Sequence, residues 1–352
     1  METTYKLGPL PWSRDTLIKA FWTNWVQVLE NIKEHPGFAA HEGFEDIHFS
    51  LSLFLDNTND LLAAIADVKN LVEPSFFARG NQQSVEQWDR KLRKHFFGVA
   101  SAAFALVDAN RRVSSTYPVE SYQEQINKCF VNSELHNFMQ GLRNFVTHKR
   151  LLTPSVQTLW GEGRKVTQLI LSEKKLKDFN NWTAPAKVFI QNCRFGVDIE
   201  AAVFEYRQLV ENFHTWYREN FWSTYGNQIN EYLSYEKIVK GEQWKNHWKH
   251  VLNYVIERKL NPYDYLDRYL TPEEIKNALE LPHGSKEQID LMISMADEFE
   301  ICDDEIRGMV YKLFSLAAEK TRQKRSTLIW HFGAVAIALI ALTKLAVRRT
   351  KS

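Results

Sequence analysis

The sequence predicts a mainly α protein: an antiparallel helical bundle with one small β-hairpin and a C-terminal transmembrane helix. Three observations carry this. Apolar residues recur at spacings of three and four through most of the chain, the period of a one-sided helix. Alternating apolar and polar residues occur convincingly at one place only, on either side of Gly161-Glu162-Gly163. Near the end, Leu328 to Leu342 is almost wholly apolar.

Taken in order, Pro9 to Trp12 is a loop, and Thr16 to Ile32 reads as the first helix. Its buried stripe is Leu17, Ile18, Phe21, Trp22, Trp25, Val26 and Leu29, and His35-Pro36-Gly37 stops it. Asp46 to Val72 is the second helical region, with Asn57-Thr58-Asn59 as a cap or a kink. Ser84 opens a long helix reaching toward Val113, and Ser84 with Gln87 resembles a capping box. Val119 to His148 is its antiparallel return, as one or two helices. Val156–Trp160 and Lys165–Leu171 form the hairpin, which two strands alone would not stabilise, so it packs on the bundle. Pro185–Asn192, Val197–Phe221, Gln228–Val239 and Gln243–Lys259 continue as helices. After Asn261-Pro262 come shorter ones, the first opened by Thr271-Pro272-Glu273-Glu274, with Thr as N-cap, Pro at N1 and Glu at N3. The acidic run from Glu298 to Glu305 lacks the spacing and glycine of a calcium loop and reads as a loop leading into a helix. The boundaries expected are an N-terminal helical region at 1–45, the bundle at 46–260 with its hairpin near 156–172, a small helical region at 261–322, and the transmembrane helix at 327–347.

At 352 residues the chain has room for two domains, or for one large helical domain with an appendage. Its 44 basic and 43 acidic residues leave a net charge of +1, which argues against a strongly basic nucleic-acid coat. Cys129, Cys193 and Cys302 are far apart and suit a reducing compartment. The polar start, Met1 to Lys6, lacks a secretory pattern, so the body is expected in the cytoplasm. The apolar C-terminal stretch carries Gly and many Ala and is apolar all round, which favours a single-pass tail anchor over an amphipathic helix. Basic residues flank it on both sides, so charge does not fix its orientation.

The stretch with chemistry is Gly141 to Arg150, where an arginine, an amide and a histidine cluster near a helix end. Asn144 and His148 are four apart and share a face. Arg143 and His148 are five apart and do not, unless the arginine stem or a loosened last turn brings them together. A histidine can exchange a proton near neutral pH, and an arginine can hold a phosphate through paired donors. The alternative is structural: Arg143 and Asn144 cap a neighbouring helix or bind a carboxylate, and His148 sits on a solvated helix end. An arginine followed five to seven residues later by a histidine also occurs at Arg90 to His95 and at Arg207 to His214. Arg143 is followed directly by Asn144, and of these arginines it alone sits at a helix exit with cations, Lys149 and Arg150, beyond it. The basic run holding Arg90 and Arg93 is either a solvated face or an RNA-backbone contact. His247-x-x-His250 has metal-compatible spacing but no third ligand nearby, so no metal is expected.

Arg143-Asn144-x-x-x-His148 resembles the R-x(4–6)-H motif of HEPN domains, over roughly Asp46 to Arg150 and more loosely to Glu219. The resemblance implies a helical bundle that dimerises and brings two motifs into a shared cleft. For active members it implies metal-independent RNA cleavage with the 2′-hydroxyl as nucleophile and no cofactor. Arg143, Asn144 and His148 would then be catalytic, with Lys149, Arg150, Arg90 and Arg93 on the RNA. The expected function is a membrane-tethered endoribonuclease of toxin or phage-defence type. The alternative is a non-catalytic, membrane-anchored scaffold on the same bundle.

Overall fold

A computed structural model describes residues 6–71, 78–131, 133–148, 154–161, 164–193, 195–297 and 299–317, with the backbone alone at 68, 70, 71, 147, 148, 158–161 and 164–166. Lys149, Arg150 and the apolar segment 327–347 lie outside the described residues. Among the described residues no helix is long and apolar enough to cross a membrane. The chain is mainly helical with a small antiparallel sheet. It divides into a bundle unit, His35–Tyr232, and a terminal unit made of Met1–Glu34 and Leu233–Ser352. From the sequence these boundaries are expected near 45 and 260.

In the bundle unit, α2 (Pro36–Leu71) and α3 (Gln82–Thr116) pack side by side. α2 starts ten residues before the expected Asp46 and runs through Asn57-Thr58-Asn59 without a break. The reason is local. Thr58 Oγ1 donates to Phe54 O at 2.8 Å and Asn57 Nδ2 to Leu53 O at 2.8 Å, so both side chains bond back along the helix instead of capping it. Pro36, expected to stop one helix, also opens the next, since its missing N–H is one a first turn leaves unpaired anyway. Ser84 lies inside α3, whose N-cap is Asn81.

At Gly37, α2 approaches the backbone of Gln228 closely. A Cβ built there would sit 2.0 Å from the backbone oxygen of Gln228. Gly37→Ala is therefore expected to destabilise the fold by about 3 kcal/mol, because backbone cannot yield as a side chain can. Gly80→Ala, with nothing within 4 Å, should leave the urea midpoint nearly unchanged. Equal midpoints for the two variants would refute the close approach.

The return consists of α4 (Tyr122–Ile126), a π-helical turn (Asn127–Val131) and α5 (Glu134–His148). α5 buries Leu135, Phe138, Met139, Leu142, Phe145 and Val146, one apolar stripe at helical spacing. Strands β1 (Ser155–Gly161) and β2 (Arg164–Leu171) form the predicted hairpin, pairing Ser155 with Ile170 through Gly161 with Arg164. After the short α6 (Glu173–Lys177) and α7 (Ala184–Asn192), a third strand, β3 (Val197–Asp198), pairs with β2. The sequence reading had placed these two residues in a helix. Asp198 instead caps α8 (Ile199–Glu257), its Oδ1 accepting from Glu200 N at 3.1 Å, and a cap residue can stay extended and join a sheet.

Expected as three helices, α8 is one of 59 residues. Asn220 and Thr224 again bond back, to Trp216 O and Asn220 O, and do not break it. Its residues up to Tyr232 belong to the bundle unit and those from Leu233 to the terminal unit. One apolar core gathers α2, α3, α5, α7, α8 and the sheet of the bundle unit.

The terminal unit begins with α1 (Arg14–Ile32), capped by Ser13. The continuous stripe expected here is broken at Asn24, whose backbone leaves the helix (φ −159°, ψ 89°) while its Oδ1 caps the restart at Gln27 N. Leu17, Phe21, Val28 and Ile32 are buried, but Trp22, Trp25 and Val26, expected in the core, are exposed. Beyond α8 come a 3₁₀ segment (Pro262–Arg268), α9 (Pro272–Leu279), α10 (Lys286–Ala296) and α11 (304–317). The capping box at Thr271 and Glu274 forms as predicted. Asp297 accepts from Ile301 N and Cys302 N, and Asp303 from Ile306 N, so the acidic run is a turn and a helix start. Gln288 is fully buried. Its amide donates to Ala278 O and Leu281 O, and its oxygen accepts from Tyr263 Oη and Gly284 N.

Candidate functional site

α5 carries the candidate residues, and an indole fixes where it lies. Gly141 leaves no Cβ, and the Trp182 ring fills that space; a Cβ there would come within 2.7 Å of it. Trp182 stacks between Phe138 (5.5 Å) and Phe145 (5.7 Å) and donates Nε1–H to Leu176 O at 2.8 Å. The glycine two residues before Arg143 is thus a packing notch.

Arg143 is half-buried, and its guanidinium carbon lies 3.9 Å from the centroid of the Phe104 ring on α3. This geometry attracts the cation to the ring face and leaves its in-plane N–H donors for another partner. Among the described residues no carboxylate pairs with Arg143. Asn144 is exposed. His148 is the last residue of α5, described by its backbone only. Positions 144 and 148 are about 40° apart around the helix, while 143 and 148 are about 140° apart with a rise of about 7.5 Å. The helix therefore groups Asn144 with position 148 and turns Arg143 away from both, toward α3.

The other two arginine–histidine spacings resolve differently. Arg207 donates to Glu211 Oε1 at 3.1 Å and to Asn59 Oδ1. His214 is buried, 3.4 Å from Asn110 Nδ2, and burial pushes its pKa down to about 4. In α3, Arg93 pairs with Asp89 at 2.6 Å, Lys91 with Asp67 at 3.0 Å, and Arg90 Nε donates to Glu86 O at 3.4 Å. His95 faces Asp60 at 3.7 Å. A phosphate arriving at this run would have to compete with carboxylates already in place.

His136 lies with its Nδ1 3.2 Å from Tyr206 Oη, which accepts from Gln140 Nε2. Burial, and secondly the Arg111 charge, push its pKa down to about 4. His136 and His214 are thus neutral at pH 7 and poor proton acceptors there. Among the described residues no group of three histidine, cysteine or acidic side chains could hold a metal. His247 and His250 are both exposed on α8.

Phe104, the platform under Arg143, is a residue that the motif spacing does not point to. A signal was present. The buried stripe of α3 runs through Val99, Ala100, Ala103 and Leu106, and Phe104 sits on its flank, where a ring can show one face to a neighbouring helix. No family model matches the chain, and no curated protein and no solved structure matches it.

Proposed function

We propose that the chain is a membrane-tethered, metal-independent endoribonuclease of the HEPN type, acting as a homodimer. The observation that carries this is Arg143: a guanidinium seated on an aromatic face, with no carboxylate partner among the described residues and an exposed amide, Asn144, next to it. A cation held this way is set up to receive an anion. On this reading Arg143 grips the scissile phosphate and stabilises the charge gathering on it. The RNA 2′-hydroxyl attacks phosphorus and loses its proton to a base, while the departing 5′-oxygen takes one from an acid. His148 is one of these two groups, and Asn144 orients the phosphate or the imidazole. The products are a 2′,3′-cyclic phosphate and a 5′-hydroxyl end. Because Arg143 and position 148 point different ways on one helix, the arginine of one copy works with the histidine of the other. Lys149 and Arg150 then extend the cationic surface along the strand, and the apolar segment 327–347 is the anchor.

The test is cleavage of an unstructured RNA by the full chain, with EDTA present. Cleavage is expected to persist in EDTA and to fall by about 10²–10⁴ in His148→Ala, the range for removing a general acid or base. Equal cleavage by the two proteins would end the catalytic reading and leave the anchored scaffold.

A further inference from the structure

The terminal unit carries a second cluster that the proposed ribonuclease chemistry does not use. Two tryptophans, Trp22 and Trp25, are 60% and 50% exposed, an unusual state for the largest apolar side chains. They stand on either side of the break at Asn24. With one face of α8 they enclose a cavity of about 440 Å³. From α8 it receives Gln243 and Asn246, whose amides make no hydrogen bond among the described residues, and the rings of His247 and His250. Positions 243, 246, 247 and 250 share one face by helical spacing.

The chemistry of this lining is specific. It offers flat apolar surface beside amides and imidazoles that can each donate and accept. It holds no lysine, arginine, aspartate or glutamate. The nearest lysines along α8 are already neutralised, Lys245 by Asp303 at 2.6 Å and Lys249 by Glu305 at 2.5 Å. A phosphate-bearing ligand would find no uncompensated cation here. A ring with one apolar face and a rim of hydroxyls would find every partner it needs: an indole under its C–H face and amides for its edge.

We propose that this cavity is a binding site for a neutral carbohydrate, with the sugar ring stacked on Trp22 and Trp25 and its hydroxyls held by Gln243, Asn246, His247 and His250. The base of a nucleotide would also stack on indole, but its phosphates would find no lysine or arginine in the lining.

The experiment titrates the full chain with cellotriose, maltotriose and chitotriose, followed by ligand-observed NMR and calorimetry, with oligouridylate and neutral phospholipid vesicles alongside. At least one trisaccharide is expected to bind with Kd below about 5 mM, within the weak range expected of a shallow site. Trp22→Ala and Trp25→Ala should each weaken it about tenfold, the scale of one lost aromatic contact. Both side chains are exposed, so the fold should survive their loss. Gln243→Ala should weaken binding about fivefold, the worth of one hydrogen bond. The proposal is overturned if none of the three sugars binds at about 10 mM, or if a sugar binds equally well without Trp22 and Trp25. It is also overturned if oligouridylate or vesicles bind through the same two tryptophans. None of these readouts depends on RNA cleavage, so the result stands apart from the fate of the ribonuclease reading.

Discussion

Arg143→Ala is expected to lower RNA cleavage by about 10²–10³, the cost of losing one charge-stabilising donor at a developing oxyanion. The same change should cost the fold little. A half-buried cation over a ring contributes on the order of 1 kcal/mol, and Phe104 keeps its other neighbours. Activity and stability should therefore separate cleanly. Arg143→Lys is the sharper variant. It keeps the charge but loses the planar fork that sits over Phe104 and offers paired donors to a phosphate. It should fall nearly as far as alanine in single-turnover cleavage. Phe104→Leu, which keeps bulk but removes the π face, should lose about tenfold through misplacement of the guanidinium. If Arg143→Ala cleaves RNA at the native rate while its melting temperature holds, the guanidinium has no part in the chemistry.

The second large effect concerns stability. His136 and His214 both have folded pKa values near 4, against about 6.5 for the exposed ring. A lowered histidine pKa means the unfolded chain takes up protons before the folded one can. Stability is then fully present above pH 6.5 and drains away as pH falls toward 4. The shift amounts to about 3 kcal/mol for each ring, of which about 2 kcal/mol is lost by pH 5. Carboxylates with lowered pKa, such as Asp303, lose their contribution only at lower pH, so the interval from 6.5 to 5 isolates the imidazoles. The groups around each ring set the sign. His136 meets Tyr206, Phe130 and the Arg111 charge, and His214 meets Asn110, Phe213 and Tyr217. None is a carboxylate that would favour the protonated form. Urea midpoints between pH 7 and 5 should drop steeply in the native chain and stay nearly level in the His136→Gln, His214→Gln double variant. A native chain as stable at pH 5 as at pH 7 would show that neither ring is held neutral.

Much of the architecture was legible because it follows from period and caps. The α5 stripe from Leu135 to Val146, the hairpin about Gly161, and the Thr271 box are all written in local residue order. What was hidden depends on how a small polar side chain spends its hydrogen bonds. Asn57, Thr58, Asn220 and Thr224 look like stops, yet each turns back to the carbonyl four residues earlier and lets the helix run on. Asn24 looks no different, and there the oxygen takes a forward amide and the helix breaks. The choice belongs to the surroundings, not to the residue. At the candidate site, the placing of Arg143 and Asn144 on one helix could be read from the sequence. The partnership of Arg143 with Phe104 could not, since it joins residues 39 positions apart whose meeting depends on how α3 and α5 pack.

A ring lodged in a backbone dent acts as a key in a shaft. With Trp182 filling the space at Gly141 and flanked by Phe138 and Phe145, α5 can neither spin nor slide without prying the indole loose on both sides. The backbone that carries Arg143, half a turn further on, inherits that fixity, so the side chain starts from a fixed root beside the Phe104 ring.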